Sequence, residues 1–185
     1  RNKLTKIKTP EALADAVKSA GIIEERSSGL VSFIERYKKL TGLPSPKMEH
    51  FSAGELLAKI EHLFSEAMHK QHIRLICQSD CSIELEADKQ MMEQVLINLV
   101  QNAVQAVSHT VSPEIALSCF AVNENQVCIS VRDNGEGIQA DKLEQVFVPF
   151  FTTREEGSGI GLSLCKQIIR LHNGQIQMES KPGKG

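Results

Sequence analysis

From residue 16 to residue 37 small and apolar side chains return in alternating steps of four and three: Ala16, Ala20, Ile23, Leu30, Ile34 and Tyr37, with Ser27 in step. Leu13, Val17 and Val31 widen the stripe. This is the spacing of a coiled-coil or bundle seam. Thr9 offers an N-cap oxygen, and Pro10 suits the first helical position, where a missing N–H costs nothing. The pattern predicts one helix over residues 10–40, about 46 Å long at about 1.5 Å per residue. A single helix cannot bury such a stripe alone, so it must pack on another helix. Gly21 and Gly29 weaken it by ~1 kcal/mol each. Thr41-Gly42-Leu43-Pro44-Ser45-Pro46 then ends it as a hinge or linker.

Beyond the linker the periods change. Leu56, Leu57, Ile60, Leu63, Phe64 and Ala67 predict an amphipathic helix over 55–70. Ile73, Leu75 and Cys77 alternate with polar residues, as in a half-buried strand. Asp88 caps a predicted helix over 88–107, with Met91, Val95, Leu99 and Ala103 among its apolar positions. Two alternating strands follow. Ile115, Leu117, Cys119 and Ala121 face one way in the first, and Val127, Ile129 and Val131 do so in the second. Asn123-Glu124-Asn125 between them is a turn signal, so the pair is a hairpin. Residues 159–172 read as a helix ending at Leu171-His172-Asn173-Gly174, where a partly positive imidazole would suit the helix dipole; residues 175–179 read as a strand. The order predicts a two-layer α/β sandwich with a mixed, partly antiparallel sheet, preceded by one long helix.

Composition narrows the class. The 185 residues carry 21 basic and 23 acidic side chains, a formal charge of −2, which argues against a general nucleic-acid binder. With 41% hydrophobic residues, the chain can bury roughly 70% of its unfolded surface and needs no staples. No apolar run approaches the roughly 18 residues of a membrane span. The chain opens Arg1-Asn2-Lys3 with no signal peptide. The five cysteines (Cys77, Cys81, Cys119, Cys128, Cys165) lack metal-ligand pairing and read as small hydrophobes of a reducing compartment.

Four short segments carry the candidate chemistry. Asn98 and Asn102 are four apart and share one helix face. An amide oxygen is a hard ligand suited to Mg²⁺, and an amide NH₂ can donate to phosphate; two surface amides are the plainer alternative. Asp133-Asn134-Gly135-Glu136-Gly137-Ile138 follows a strand directly. Its carboxylate could accept from an exocyclic amine while Gly135 and Gly137 admit a flat ring, or it could be a solvated turn. Phe147-Val148-Pro149-Phe150-Phe151-Thr152-Thr153-Arg154 is unusually apolar for a loop and ends in two hydroxyls and a cation, as an anchored lid facing phosphate would, or a loop docked on its own core. Gly157-Ser158-Gly159-Ile160-Gly161-Leu162 opens a helix, where clustered N–H groups bind anions. It is neither a Walker loop nor a convincing dinucleotide fingerprint.

Taken together, the order and spacing of these segments over residues 50–185 resemble the ATP-binding catalytic domain of sensor histidine kinases, in the superfamily that includes gyrase, the Hsp90 chaperones and the MutL mismatch-repair proteins. Asn98–Asn102 resembles the N box, Asp133–Ile138 the first glycine box, Phe147–Arg154 the F box of nitrogen-regulation-type kinases and Gly157–Leu162 the second glycine box. Lys181-Pro182-Gly183-Lys184-Gly185 looks like the start of the last glycine box, with the final strand cut. The resemblance implies a Bergerat-type ATP-binding fold with ATP and Mg²⁺ as ligands. Asp133 would accept the adenine amino group, and Gly137 and Ile138 would line the adenine pocket. Asn102 would hold Mg²⁺, with Asn98 beside it on the metal or the phosphates. Arg154, with Thr152 and Thr153, would approach the β- and γ-phosphates. Gly157, Ser158, Gly159, Ile160, Gly161 and Leu162 would wrap the triphosphate and the adenine edge. The residues implied in the transfer step are Asn98, Asn102 and Arg154.

The leading helix resembles the second helix of the dimerisation and phosphoacceptor hairpin. The resemblance thus implies a boundary at residues 46/47: half a hairpin with its linker, then the ATP domain, with the first helix and its phosphoacceptor His lying outside this chain. The implied activity is transfer of the γ-phosphoryl group to that His in a homodimer, then to an Asp of a response-regulator receiver domain. This part would work in the cytoplasm, without membrane contact of its own, whether or not its parent protein is membrane-anchored; alone it is not expected to autophosphorylate. Two departures bear on mechanism. Asn98 stands where hydrolytic relatives place a Glu base, which favours transfer over hydrolysis, and Glu93 falls off that face. Gln105 stands where many sensor kinases have a cation. A hydrolytic ATPase clamp and a non-catalytic nucleotide-binding module are the competing functions.

Overall fold

The computed structural model describes residues 10–79, 82–123, 126–153, 157–183 and 185. The chain divides into two compact units, residues 1–42 and 43–185. The first is built on one helix, α1 (Pro10–Thr41), which runs through Gly21 and Gly29 without a break. Its Thr9 cap lies outside the described residues. The Gly42 N–H donates to the Lys38 carbonyl (2.9 Å) and closes the last turn. The helix forms as the spacing predicts, and Val17, Ile23, Leu30, Ile34 and Tyr37 of the stripe all stand exposed.

The second unit runs β1 (Glu49–Ser52), α2 (Ala53–Lys70), β2 (Arg74–Ser79), β3 (Glu84–Ala87), α3 (Lys89–Ala106), β4 (Glu114–Asn123), β5 (Gln126–Asp133), α4 (Ala140–Leu143) and α5 (Gly161–Leu171). β4 is the central strand of a mixed sheet: β2 pairs with it in parallel and β5 antiparallel, in the order β2-β4-β5. The parallel pair is joined through α3, the kind of long crossover that parallel strands require. β1 and β3 form a separate antiparallel ribbon. Helices α2, α3 and α5 supply the second layer. Leu56, Leu57 and Ile60 of α2, Val100 of α3, Cys165 and Ile168 of α5, and Ile115 and Leu117 of β4 are wholly buried in one core. Alternation along β4 explains its position there: Ile115, Leu117 and Cys119 point into the core while Phe120 and Val122 stay exposed. This is the expected two-layer sandwich.

Some expectations change. Ala121 continues the inward alternation in sequence yet is exposed, because a register irregularity between Ala121 and Asn123 twists the hairpin end. Glu124 and Asn125 of the turn, and Cys81, lie outside the described residues. Residues 175–179 form no strand. Burial does alternate there, with Ile176 and Met178 half-buried, but no described strand takes up the backbone hydrogen bonds, and alternation alone makes no ladder. The His172 ring connects the end of α5 to the start of α3. Its Nε2 accepts the Asp88 N–H (3.0 Å), which leaves Nδ1 to donate to the Ile168 carbonyl (2.8 Å).

Asp88 is the N-cap of α3. Its Oδ1 accepts the Met91 N–H (3.0 Å) and its Oδ2 accepts the Lys47 N–H (2.8 Å). These two donors, Lys47 first, hold its carboxyl below the ordinary value of 3.8. Asp88→Ala is expected to cost about 1–2 kcal/mol, read from the urea midpoint. The folded carboxyl has the lower pKa, so its contribution is complete above pH 3.8 and fades as pH falls through the folded value. The gap between wild type and Asp88→Ala should therefore be flat near neutrality and close only in acid below that point.

Candidate functional site

α3 carries the amide pair and presents different faces to different neighbours. Glu93 points to α2 and pairs with Lys59 (2.5 Å). Asn98 points to the start of α5: a Cβ built on Gly161 would lie 3.9 Å from its Cγ and Oδ1. Its Oδ1 accepts weakly from Gln94 Nε2 (3.4 Å), and its Nδ2 is buried with no oxygen or nitrogen acceptor among the described residues, only the Cys165 thiol beside it. Asn102, one turn on, is half-buried.

α5 runs antiparallel to α3. Gly161 lies beside Asn98, the Cys165 Sγ is 3.7 Å from the Val95 carbonyl, and the His172 ring meets the Asp88 N–H. Each step back along α3 is matched by a step forward along α5. Burial pushes the Cys165 thiol up to about 11, so it serves as packing. Ile160, the N-cap, gives no side-chain bond to the first turn, and its own side chain is buried. The first N–H groups of α5 therefore have no side-chain cap at that position. Gly157 and Leu162 are half-buried and Ser158 is exposed; its Oγ accepts the Ile160 N–H (3.4 Å).

The preceding loop is clasped at its base. The Phe150 N–H donates to the Gly159 carbonyl (2.8 Å). Phe150 takes φ 67° and Gly159 φ 66°. A Cβ on Gly159 would come within 2.5 Å of the Phe150 carbonyl carbon, so only glycine fits. Phe147 is anchored under the Lys166 ammonium, 5.4 Å from its ring centroid. Thr152 and Thr153 are exposed beyond this clasp. Arg154 lies outside the described residues, as does Lys184.

The Asp133 loop sits on the other end of α3. Gly135 packs directly on the Ala106 carbonyl, and the Glu136 N–H donates to that same oxygen (3.2 Å). Ala106 is one turn past Asn102, about 6 Å along the axis. Asp133 Oδ1 accepts the Gly135 N–H (2.9 Å), which leaves Oδ2 for another donor. Asn134 ties the loop down, donating from Nδ2 to the Ser112 carbonyl and accepting the Glu114 N–H at Oδ1, both 2.8 Å. Gly137 (φ 69°) passes under the Lys181 carbonyl, where a Cβ has no room. The Gly183 N–H reaches the Glu136 carbonyl (2.7 Å), and the Ile138 N–H reaches Ser180 Oγ (2.7 Å).

The amide pair thus lies between the two glycine loops, with the glycine-rich start of α5 at Asn98 and the Asp133 loop one turn past Asn102. A cavity of about 220 Å³ bounded by His109, Asn134, Gly135 and Gly183 lies against that loop without touching Asn98, Asn102 or Asp133. Ser180 and His172 carry contacts that motif spacing did not single out as site-forming; a lone hydroxyl or imidazole has no spacing signature.

Residues 87–185 match the family described as histidine kinase-, DNA gyrase B- and HSP90-like ATPases. The sensor histidine kinase ZraS of Escherichia coli is 33% identical over 195 aligned positions, which span 100% of this chain and 41% of that protein. The chain spans less than half the length of the curated relatives it matches. A structure of the catalytic domain of the histidine kinase ThkA is 32% identical, covering 74% of this chain and 98% of that one, with a TM-score of 0.66. ThkA in complex with the response regulator protein TrrA is 29% identical, covering 97% of this chain and 51% of that one, with a TM-score of 0.70.

Gly137→Ala is expected to destabilise the second unit by about 1–3 kcal/mol, because the new Cβ meets backbone rather than a movable side chain. Chemical denaturation checks this; the exposed Gly183, where an added Cβ would meet nothing within 4 Å although φ is 75°, should lose less when changed to Ala.

Proposed function

This chain belongs to the histidine kinase-, DNA gyrase B- and HSP90-like ATPase family, and on that premise we propose that it is the ATP-binding catalytic part of a sensor histidine kinase, with one helix of a dimerisation hairpin before it. The observation that carries this reading is the amide pair of α3 held between two glycine loops, Gly161 beside Asn98 and Gly135 against the turn after Asn102.

On this reading Asp133 reads the adenine amino group through the oxygen not engaged by the Gly135 N–H, and Gly137 and Ile138 form the wall beside the ring. The residues fit a metal-chelated triphosphate. The buried Asn98 Nδ2 has no oxygen or nitrogen acceptor among the described residues, only the weak Cys165 sulfur beside it, so an anionic phosphate oxygen suits it. Asn102 offers a hard amide oxygen of the kind Mg²⁺ takes alongside phosphate and water. Bound there, Mg²⁺ would neutralise charge on the β- and γ-phosphates as the phosphoryl group leaves. The uncapped start of α5, with Gly157, Ser158, Gly159, Ile160, Gly161 and Leu162, orients the phosphates. Thr152, Thr153 and Arg154 meet their outer end.

Transfer rather than hydrolysis is supported by what α3 lacks. An amide at position 98 cannot take a proton from water, and Glu93 is engaged by Lys59 on another face. The acceptor proposed is a His on a partner hairpin helix, followed by an Asp of a response-regulator receiver domain. The exposed stripe of α1 supports homodimerisation through that hairpin. No described helix is long and apolar enough to cross a membrane; the cytoplasm, where ATP is, is the proposed location of this part.

Titration with ATP tests the site. Asp133→Asn should weaken binding about tenfold or more, the worth of a hydrogen bond to a charged group. Asn102→Ala should erase the gain in affinity on adding Mg²⁺. Equal affinity of wild type and Asp133→Asn would remove the base-reading role. With ATP, acid-labile phosphate should appear on a supplied His-bearing hairpin and not on this chain alone; phosphohistidine on the isolated chain would overturn the division of labour.

A further inference from the structure

The turn formed by Ser180 to Gly183 closes on the Asp133–Ile138 loop from outside, through three contacts of different kinds. The Lys181 carbonyl lies over Gly137 and denies it a side chain. The Gly183 N–H donates to the Glu136 carbonyl at 2.7 Å. Ser180 Oγ accepts the Ile138 N–H, also at 2.7 Å. The first two are backbone contacts that any residue at 180 would leave standing. The third depends on one hydroxyl. Ile138 lies in neither helix nor strand, so its half-buried N–H has no ladder to join and needs a side-chain acceptor.

We infer that Ser180 is a positioning residue for the nucleobase: by accepting the Ile138 N–H it fixes the wall of the base site, and it acts on the base rather than on the phosphates. This rests on the nucleotide reading above. The separation follows from what holds each part. Asn98 and Gly161 are set by the packing of α5 along α3, to which the 180–183 turn contributes no bond, whereas Ile138 is tied to that turn directly. The hydroxyl also keeps its own proton for a further acceptor when a base is present.

The test uses the full 185-residue chain as wild type, Ser180→Ala and Ser180→Thr. Two readouts are taken: affinity for Mg²⁺-ATP and for Mg²⁺-tripolyphosphate, the latter as a competitor lacking a base, and amide hydrogen exchange without ligand. Ser180→Ala should weaken ATP about fivefold to tenfold, the worth of one hydrogen bond, and leave tripolyphosphate unchanged. It should speed exchange at Ile138 while amides of the β4–β5 hairpin keep their rates, and Ser180→Thr, which retains the hydroxyl, should restore both. Unchanged ATP affinity in Ser180→Ala, equal loss for ATP and tripolyphosphate, or unchanged exchange at Ile138 would each overturn the inference. Failure of the wild type to bind ATP sinks the nucleotide reading and the base role with it, and the exchange comparison then tells whether Ser180 holds the loop at all.

Discussion

The arrangement depends on one helix-end carbonyl. The last four C=O groups of any helix lack an internal partner. In α3 the Ala106 oxygen is taken by the Glu136 N–H, with Gly135 pressed against it. A loop that carries the candidate base-reading carboxylate is thereby fixed to the same rigid element that carries the amides. The other end of α3 is fixed with equal definition, by the Asp88 cap and by the His172 ring that joins it to the end of α5. Val95, Leu96 and Val100 bury the middle. With both ends and the middle set, the amides keep their place on α3 while the Glu136 bond to Ala106 ties the loop after Asp133 to the same helix.

Much of this was legible in the sequence, for reasons that differ by element. α1, α2 and α3 show strong 3.6-residue periodicity, and Asp88 marks a boundary by its chemistry. The β4–β5 hairpin shows period two. The glycine boxes are legible because each of several glycines answers to a close approach: Gly135 to Ala106, Gly137 to Lys181, Gly159 to Phe150. What was not legible lacks any such period. β1 and β3 have four residues each, too short to show one, and exist because they pair with each other. Residues 175–179 have the period of a strand but pair with no strand among the described residues, which sequence pattern does not report. The contact of the His172 ring is with a donor 84 positions away in the chain.

The two units rest on different sources of stability. Residues 43–185 enclose their own core, in which Leu56, Leu57, Ile60, Ile115 and Val100 are fully excluded from water. α1 encloses nothing by itself. Its 32 residues are long enough to form a helix, yet in proteins helical stability comes mostly from packing an apolar face. Leu30, Ile34 and Tyr37 keep that face exposed, and the Phe33–Tyr37 stack, 6.5 Å between centroids, covers only a small part of it. A helix of this kind draws its order from another helix, which is why its sequence reads as a seam rather than as a domain.

Asn98 shows how such a scaffold holds a cost in reserve. A buried amide donor without an acceptor is unfavourable by about 1–3 kcal/mol. An apolar residue at 98 would pack against Gly161 and Cys165 without that cost. The polar atom persists in a helix whose neighbouring faces are otherwise satisfied: Glu93 by Lys59, Val95 by the core, the N-terminus by Asp88. The Cys165 thiol beside Asn98 is a weak acceptor, and an oxygen brought to the site would serve that donor better. On the proposed reading, an oxygen arriving at the start of α5 would meet that donor and the first N–H groups of the helix together. On the proposed reading an anion would complete the site, and that gives a physical ground for the glycines that would let it approach.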